Sequence, residues 1–307
     1  MDNMTRPSEE EIDLKKLFIV IWNKKLLISC ITSIAAVLSV VYALSLPNIY
    51  TSNSVLAPTT KDESLSSKLG AYSGIATLAG INVASNNDSK SIEAIRRIKS
   101  FDFFSNQFLP SIQLKNLLAV DEWIQVGNKI IYKKELYDNE KNKWVREVSY
   151  PQSKIPSNQE AFKVYKSMLS ITTEDQSGFV SISIDHKSPI IAKKWLDIII
   201  KNINESMREI DMNKAKNSIN FLNSQSKLTS IQSIKTAVAK LQESQMQTLM
   251  MASSNKEYIF KILESPIVPE KKSSPNRAII CIMGTIFGGF FSLIIVFLQL
   301  YIKNSET

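Results

Sequence analysis

Two long runs of uncharged, mostly apolar residues stand near the two ends of the chain. The first covers 21 residues from Leu26 to Leu46, and the second covers 25 residues from Ala278 to Ile302. A helix needs about 20 apolar residues to cross the hydrocarbon core of a bilayer. Both runs are therefore long enough to span a membrane, and the polar sequence between them predicts one sizeable domain outside it.

This pattern divides the 307 residues into five segments. We expect a cytoplasmic N-terminal segment at 1–25, a membrane helix at 26–46, an α+β domain outside the cytoplasm at 47–277, a second membrane helix at 278–302 and a cytoplasmic tail at 303–307. A cleaved signal peptide is the alternative for the first run, but its uncharged stretch exceeds the 7–15 apolar residues typical of such a peptide.

The placement of basic residues predicts the orientation of the chain. Lys15, Lys16, Lys24 and Lys25 precede the first run, and the next Lys or Arg after it is Lys61. Positive charges near a first span stay on the cytoplasmic side, so the N-terminus is expected there. Basic residues before the second run favour the opposite orientation, but long domains are translocated largely regardless of charge.

Between the runs, alternating apolar and polar positions predict β-strands. They lie at Ile49–Ala57, Phe179–Asp185 and Tyr258–Leu263, and a hairpin is predicted at Lys129–Tyr150 around the turn Asp138–Glu140. Interspersed with helical segments, these strands indicate the α+β fold class.

Helical spacing of apolar residues predicts two helices before the middle of the domain. Ser91 is expected to cap the first, which continues to Phe108. Ser157 or Asn158, with an acidic residue in the first turn, begins the second, which ends at Leu169.

A long helical region is predicted at about 189–252. Pro189 occupies a favoured first-turn position, and no Gly or Pro occurs from Ile190 through Ser265. A polar break near Ser226–Ser230 divides the region into two helices, of which the first would be roughly 55 Å long. Its apolar stripe must be buried on the partner helix or on identical helices in an oligomer, and the pattern leaves both arrangements open.

The charge balance narrows the range of partners. The chain carries 37 Lys and Arg against 29 Asp and Glu, a formal net charge of +8. A basic surface can attract anionic lipids, polysaccharides or nucleic acids. The lysines are scattered, without an arginine cluster or an aromatic stacking platform, and we therefore expect no nucleic-acid partner.

The sequence contains few residues that could act in catalysis or bind a metal. His186 is the only histidine, which excludes a multi-histidine metal site. It directly follows Asp185 on a predicted strand, where neighbouring side chains point to opposite faces, so the two do not form a base and its orienting carboxylate. No nucleophile motif is present. We expect no catalytic residue, cofactor or metal, and a surface or interface position for His186.

The two cysteines, Cys30 and Cys281, lie near the start of the two apolar runs. Antiparallel membrane helices would place them at opposite faces of the bilayer. A disulfide between them is therefore not expected.

Four segments of the chain resemble the Wzz-type polysaccharide co-polymerases of Gram-negative bacteria, which determine O-antigen chain length. The segments are EIDLKKL before the first run, IATLAGI, VSISIDHKSPIIAKKWLDIIIKNIN continuing to SINFLNSQ, and IVPEKKSSPNRA before the glycine-containing second run. With the two-span layout they cover nearly the whole chain.

The resemblance implies an inner-membrane protein with both termini in the cytoplasm. It further implies a periplasmic α/β base domain with a long extended helix, and copies of the chain packed in a ring. Such proteins set the modal length of the glycan that a separate Wzy-type polymerase builds from undecaprenyl-linked units, without covalent chemistry of their own. Related tyrosine-kinase co-polymerases carry a further cytoplasmic domain after the second span, which we do not expect here.

The resemblance also supplies candidate site residues. Pro266, Pro269, Pro275, Gly284 and Gly288 match a motif that the family links to helix packing and length control. Of these, the glycines form a GxxxG pattern, which allows two membrane helices to approach closely.

Two other functional classes stay open from the sequence. One is a two-span periplasmic adaptor, or a membrane-fusion-like component of a polysaccharide or protein export system. The other is a periplasmic hydrolase tethered at both ends, for which His186 would be the necessary base.

Overall fold

The computed structural model describes residues 22–59, 87–228 and 230–305. The chain divides into two compact units: the helix-pair unit, Met1–Asn48 with Ser274–Thr307, and the central unit, Ile49–Ser273. Two segments of the family resemblance, EIDLKKL and IATLAGI, lie outside the described residues.

Helices are combined with a sheet whose strands are all antiparallel, which confirms the α+β class. In chain order they are α1 Lys25–Ser45, β1 Tyr50–Pro58, α2 Asn87–Ile98, α3 Leu114–Leu118, β2 Val120–Ile124, β3 Lys129–Tyr132, β4 Tyr137–Asp138, β5 Lys143–Trp144, α4 Asn158–Met168, β6 Leu169–Thr173, β7 Val180–His186, α5 Pro189–Leu228, α6 Gln232–Ser254, β8 Phe260–Glu264 and α7 Arg277–Ser305. Short helical turns at Phe101–Phe103, Phe104–Phe108 and Leu109–Ser111 lie between α2 and α3.

The helix-pair unit consists of α1 and α7, which pack on each other. Both are long and apolar enough to cross a membrane. Cys30 and Cys281 are free thiols, as the sequence predicts.

The main sheet of the central unit has four strands in the order β6-β7-β1-β8. All three pairings are antiparallel. The first strand of the unit, β1, therefore lies between β7 and the last strand, β8. The three strands that alternation predicts are confirmed as β1, β7 and β8 of this sheet. Alternation of apolar and polar residues identifies such strands because one face of an antiparallel sheet is buried and the other is not.

The core lies between this sheet and the first half of α5. On β7 the buried positions alternate through Val180, Ile182 and Ile184. They belong to one cluster with Trp195, Leu196, Ile199 and Ile203 of α5. Aromatic rings from the turns after α2 complete it: Phe104 and Phe108 each lie 5.0 Å from the ring centre of Tyr165.

The long helical region is two helices, since α5 ends at Leu228 and α6 begins at Gln232. The second helix, α6, packs against α5. The facing positions are mostly small or aliphatic: Ala215, Ser218 and Leu222 on α5, and Ala237, Val238 and Leu241 on α6. Of the two arrangements that the sequence leaves open, the partner helix therefore covers this part of the stripe.

Two local predictions are wrong, the second only in part. Ser91 does not cap α2, which begins at Asn87 and buries Ser91 inside it. The hairpin predicted at 129–150 is right at its turn, since β4 pairs with β5 across residues 139–142, but wrong in its extent, since β3 pairs with the preceding β2. Turn residues decide this, because Gly127, Asn128 and Asn142 have positive φ angles of 76°, 49° and 52° and close the two tight turns.

The predicted start of α4 is confirmed as a capping box. The Ser157 hydroxyl accepts a hydrogen bond from the Glu160 backbone, and the Glu160 carboxylate accepts one from the Ser157 backbone. Arg146 also donates to both Glu160 oxygens, at 2.5 and 3.0 Å. These hydrogen bonds lower the pKa of Glu160 to about 2, because they favour its ionised form.

We expect Arg146→Ala to reduce the free energy of unfolding of the full-length protein in detergent by about 2 kcal/mol, since it removes a bidentate pair with a partly buried carboxylate. The pair is 12% and 25% exposed. The effect should be full above about pH 4.5 and decline as the pH falls through about 2, because Glu160 is protonated in both the folded and the unfolded state only below that pH.

Arg97→Ala is the matched control. It breaks an ion pair with Glu93 whose side chains are 40% and 41% exposed, so we expect a loss of only about 0.3–0.5 kcal/mol. Equal losses for the two variants in urea titrations would contradict the role assigned to Arg146.

Candidate functional site

The two glycines of the GxxxG pattern lie where α7 meets α1. Gly284 faces Ser39, and Gly288 faces Ala35 and Thr32. Because later positions on α7 meet earlier positions on α1, the two helices are antiparallel. Gly284 and Gly288 thus lie on the same face of α7, toward α1.

Close approach at this contact depends on the missing side chains. A Cβ atom at Gly284 would lie 2.4 Å from the Ser39 Cβ, and one at Gly288 would lie 2.4 Å from the Ala35 Cβ. Neither distance is sterically possible without separating the helices. By contrast, a Cβ atom at Gly289 would have nothing within 4 Å. Only two of the three glycines in this stretch are therefore required by packing.

The polar groups of this contact are satisfied within their own helices. The Ser39 hydroxyl donates to the Ala36 carbonyl, and the Thr285 hydroxyl donates to the Cys281 carbonyl, both at 2.8 Å. Hydroxyls bonded in this way cost little in an apolar environment. Small residues and self-bonded hydroxyls together give a surface suited to helix packing in hydrocarbon.

Arg277 links the start of α7 to the end of α1. Its Nη2 donates to the Leu46 carbonyl at 3.4 Å and to the Asn48 side chain at 3.2 Å. Pro275 stands two residues before it, after a cis peptide bond with Ser274. This candidate proline therefore belongs to the helix-pair unit, next to the first residue of α7.

Pro266 and Pro269 lie in the central unit, on the extended chain that follows β8. Pro266 is buried and Pro269 is half-buried. The prolines have no N–H to donate to β1, and two buried β1 serines make the connection instead. Ser54 donates to the Glu264 carbonyl at 2.6 Å, and Ser52 donates to the Ile267 carbonyl at 2.8 Å.

This proline-containing segment covers the edge of β1 beyond the end of its pairing with β8. The Ser273 N–H donates to the Ile49 carbonyl at 2.8 Å, at the far end of the segment. The edge is therefore closed by side-chain and backbone hydrogen bonds, which removes unpaired strand groups from solvent. The five candidate residues do not form one cluster, since two lie here and three lie in the helix-pair unit.

His186 is buried, at 2% exposure, and the predicted surface or interface position is wrong. It extends the inward-facing positions of β7. Its Nδ1 accepts from the Ser188 N–H at 2.8 Å, so the neutral ring carries its proton on Nε2, which donates to the Asn116 carbonyl at 2.9 Å. Burial lowers the pKa of His186. Both nitrogens are engaged in structural hydrogen bonds.

Asp185 points to the other face of the strand, as the sequence predicts. Its carboxylate accepts from the Thr51 hydroxyl at 2.6 Å on the neighbouring strand β1. Asp185 and His186 therefore have separate partners and do not form a catalytic pair.

Sequence reasoning missed a buried polar group on α5. Asp211 is 8% exposed and forms an ion pair with Lys90 of α2. It also accepts a 2.7 Å hydrogen bond from the Tyr258 hydroxyl just before β8. Burial and this carboxylate raise the pKa of Tyr258. The sequence contained one indication of this group, because Asp211 occupies a position on the apolar stripe of α5, where a charged residue needs a partner.

The fold and these contacts define an α+β protein that has a long apolar helix on each side of its central unit, without an evident catalytic centre among the described residues. Residues 10–107, about a third of the chain, match the family model described as "Wzz: Chain length determinant protein". The resemblance to Wzz-type co-polymerases is therefore confirmed.

Three solved structures are similar to the chain. A full-length bacterial polysaccharide co-polymerase is 13% identical, with a TM-score of 0.43, over 95% of this chain and 99% of that one. A WzzB fragment from Salmonella Typhimurium is 14% identical, with a TM-score of 0.32, over 74% and 100%. A point mutant of the Shigella flexneri O-antigen chain-length regulator WzzB is 8% identical, with a TM-score of 0.29, over 73% and 100%. Comparison with curated proteins gives no match.

We expect Gly288→Ala to separate α1 and α7, because the added methyl group overlaps the Ala35 Cβ. Cys30 and Cys281 are the only cysteines and provide natural spin-label positions. Double electron–electron resonance spectroscopy in detergent should give a narrow distribution of distances between the two labels for the wild-type protein, and a broad or shifted distribution for the variant.

Two controls isolate the steric cause. Gly289→Ala should leave the distribution unchanged, since nothing lies near its Cβ. Adding Ala35→Gly to Gly288→Ala moves the methyl group to the other helix and should restore the narrow distribution. Identical distributions for Gly288→Ala and the wild-type protein would refute the contact.

A second prediction concerns pH. The folded state keeps His186 neutral while the unfolded state binds a proton below about pH 6.5, so stability should fall as the pH drops from 7.5 to 5.5. The limiting slope is about 1.4 kcal/mol per pH unit. Urea unfolding of full-length His186→Gln should give a lower stability at pH 7.5 but a flatter profile, and a wild-type-like slope would contradict this account.

Proposed function

We propose that this protein is an inner-membrane scaffold that regulates the modal chain length of lipopolysaccharide O-antigen, or of a related surface polysaccharide made by a Wzy-type polymerase. The observation that carries the proposal is the Wzz match at residues 10–107. It occurs in a chain that has an apolar helix on each side of a mixed helix and strand unit.

In this proposal the chain crosses the membrane twice, with both termini in the cytoplasm and the central unit in the periplasm. Lys15, Lys16, Lys24 and Lys25 precede residue 26, whereas residues 26–59 contain no Lys or Arg, and this asymmetry supports the orientation. The proposed segments keep the boundaries 1–25, 26–46, 47–277, 278–302 and 303–307.

The protein acts on the polymerase and its undecaprenyl-linked glycan by position and not by covalent chemistry. The main support is His186, whose ring nitrogens are both bonded to backbone groups inside the core. A general base must be within reach of a substrate proton, which this buried ring is not.

Several copies of the chain assemble as a ring. The α5–α6 pair supports self-association because it leaves large apolar side chains exposed after the two helices have packed. Those with the largest exposure are Leu228 at 79%, Met250 at 64%, Ile231 at 56% and Met246 at 47%. Leu228 and Ile231 lie at the connection between the two helices and Met246 and Met250 lie farther along α6, and further copies of the chain would bury these side chains in the proposed ring.

The candidate site residues serve this scaffold by fixing its parts. Gly284 and Gly288 hold the two spans together as one hairpin, while Pro266 and Pro269 stiffen the segment that covers β1. Pro275 ends the extended chain before α7. A co-polymerase that positions other molecules needs such fixed connections more than it needs reactive groups.

Deletion of the gene tests the proposal. Lipopolysaccharide from the deletion strain should lose its clustered band of modal length on a gel, with repeat units still polymerised. Plasmid-borne wild-type protein and Gly289→Ala should restore the cluster, whereas Gly288→Ala should shift or broaden it. Complete loss of surface polymer would instead favour the export adaptor, and an unchanged band pattern would refute both.

Reporter fusions provide an independent check of orientation. Alkaline phosphatase fused after Lys141 or Lys240 should be active, because the enzyme folds only outside the cytoplasm. Green fluorescent protein at the same positions should be dark. The reverse result would overturn the proposed topology.

A further inference from the structure

The central unit contains an open cleft of about 720 Å³ that the helix-packing residues do not touch. It lies between α2, the helical turns that follow it and α5. Its lining includes Ile92, Arg96, Phe103, Asn106, Gln107 and Ser206. A volume of this size lies within the range of small-ligand clefts.

Four polar side chains in the cleft are available for a ligand. Among the described residues, the side chains of Arg96, Asn106, Gln107 and Ser206 make no hydrogen bond or ion pair. They offer a planar guanidinium, two carboxamides and a hydroxyl, which together donate and accept. Sugar hydroxyls also donate and accept, so this set suits them better than it suits a purely anionic or purely apolar molecule.

The cleft also has an apolar part. Ile92 is 48% exposed, and Phe103 is more deeply buried, at 5% exposure. A sugar ring presents C–H groups on its faces and hydroxyls around its rim. A lining with apolar and polar side chains can contact both the C–H faces and the hydroxyl groups of a sugar.

Charge excludes a strongly anionic ligand. Asp102 and Glu93 line the same cleft as Arg96 and Arg97. Glu93 and Arg97 neutralise each other in an ion pair at 2.7 Å. The remaining acidic and basic groups balance, which favours a neutral or singly acidic sugar over a nucleotide or a phosphate cluster.

The walls of the cleft are held in place by bonds outside it. Asn202 of α5 donates to the Gln107 carbonyl at 2.6 Å, and the Ser100 hydroxyl accepts from the Phe103 N–H at 3.2 Å. The backbone that carries Phe103 and Gln107 is therefore held in place before a ligand arrives, which reduces the ordering cost of binding.

We propose that this cleft binds a short stretch of the polysaccharide whose length the protein regulates, with Arg96 and Gln107 as its main polar contacts. The inference rests on the proposed function for the nature of the glycan. It adds a glycan-binding site on the central unit, formed by α2, α5 and the turns between α2 and α3.

The test uses full-length protein in lipid nanodiscs. The probe is the polysaccharide released by mild acid from lipopolysaccharide of the same strain and reduced to fragments of one to three repeat units. Saturation-transfer NMR and calorimetric titration should detect binding to the wild-type protein. Arg96→Ala and Gln107→Ala should each weaken it at least tenfold, and the double variant should abolish it.

Lys99→Ala is the matched control, because it removes a positive charge one helical turn from Arg96 but outside the cleft lining. Its binding should equal that of the wild-type protein. Circular dichroism should show the same helix content for every variant, since Arg96 is exposed and its loss leaves no cavity.

Other outcomes overturn the inference in distinguishable ways. Undetectable wild-type binding, or equal binding by Arg96→Ala, refutes the glycan site even when gene deletion confirms length regulation. Unchanged binding with an altered oligomer mass for Arg96→Ala identifies the cleft as a contact between copies. Conversely, glycan binding by a protein whose deletion leaves the band pattern unchanged refutes the proposed function and not the site.

Discussion

The central unit depends on the pairing of its first strand with its last. β1 pairs with β7 on one side and with β8 on the other. At the end of the unit, the Ser273 N–H donates a hydrogen bond to the Ile49 carbonyl. Residues more than 200 positions apart are thereby held within hydrogen-bond distance. Forming such contacts costs loop-closure entropy, which the large cluster between the sheet and α5 offsets by burying apolar surface.

Buried polar groups in this unit link distant segments of the chain by hydrogen bonds and an ion pair, and we assign them no catalytic role. Ser52, Ser54 and His186 each bond to a backbone group of a distant segment, and Asp211 joins Lys90 to Tyr258. A buried polar group without a partner is costly, so each of these bonds also specifies which segments must meet. The helix-pair unit is specified by steric fit instead of by hydrogen bonds, since the absence of side chains at Gly284 and Gly288 allows α7 to approach α1 closely.

Local pattern was sufficient for most of the elements. Alternation identified β1, β7 and β8, and the capping residues identified the start of α4, because both signals come from neighbours in the chain. The hairpin prediction at 129–150 was wrong in its extent because positive φ angles at Gly127, Asn128 and Asn142 select the pairing, and several backbone conformations are open to such residues in the sequence. His186 was assigned to a surface because a single histidine carries no information on the carbonyl that will meet it.

The sequence by itself determined the two apolar helices, the alternation of the sheet, the long helical region with its break, and the family resemblance. Each of these depends on composition or on spacing within one segment. Only the tertiary structure decided that α6 covers the stripe of α5, that Gly288 and not Gly289 meets α1, and that Arg96, Gln107 and Ser206 line one cleft. These facts depend on contacts between residues far apart in the chain, whose side-chain types alone do not specify a partner.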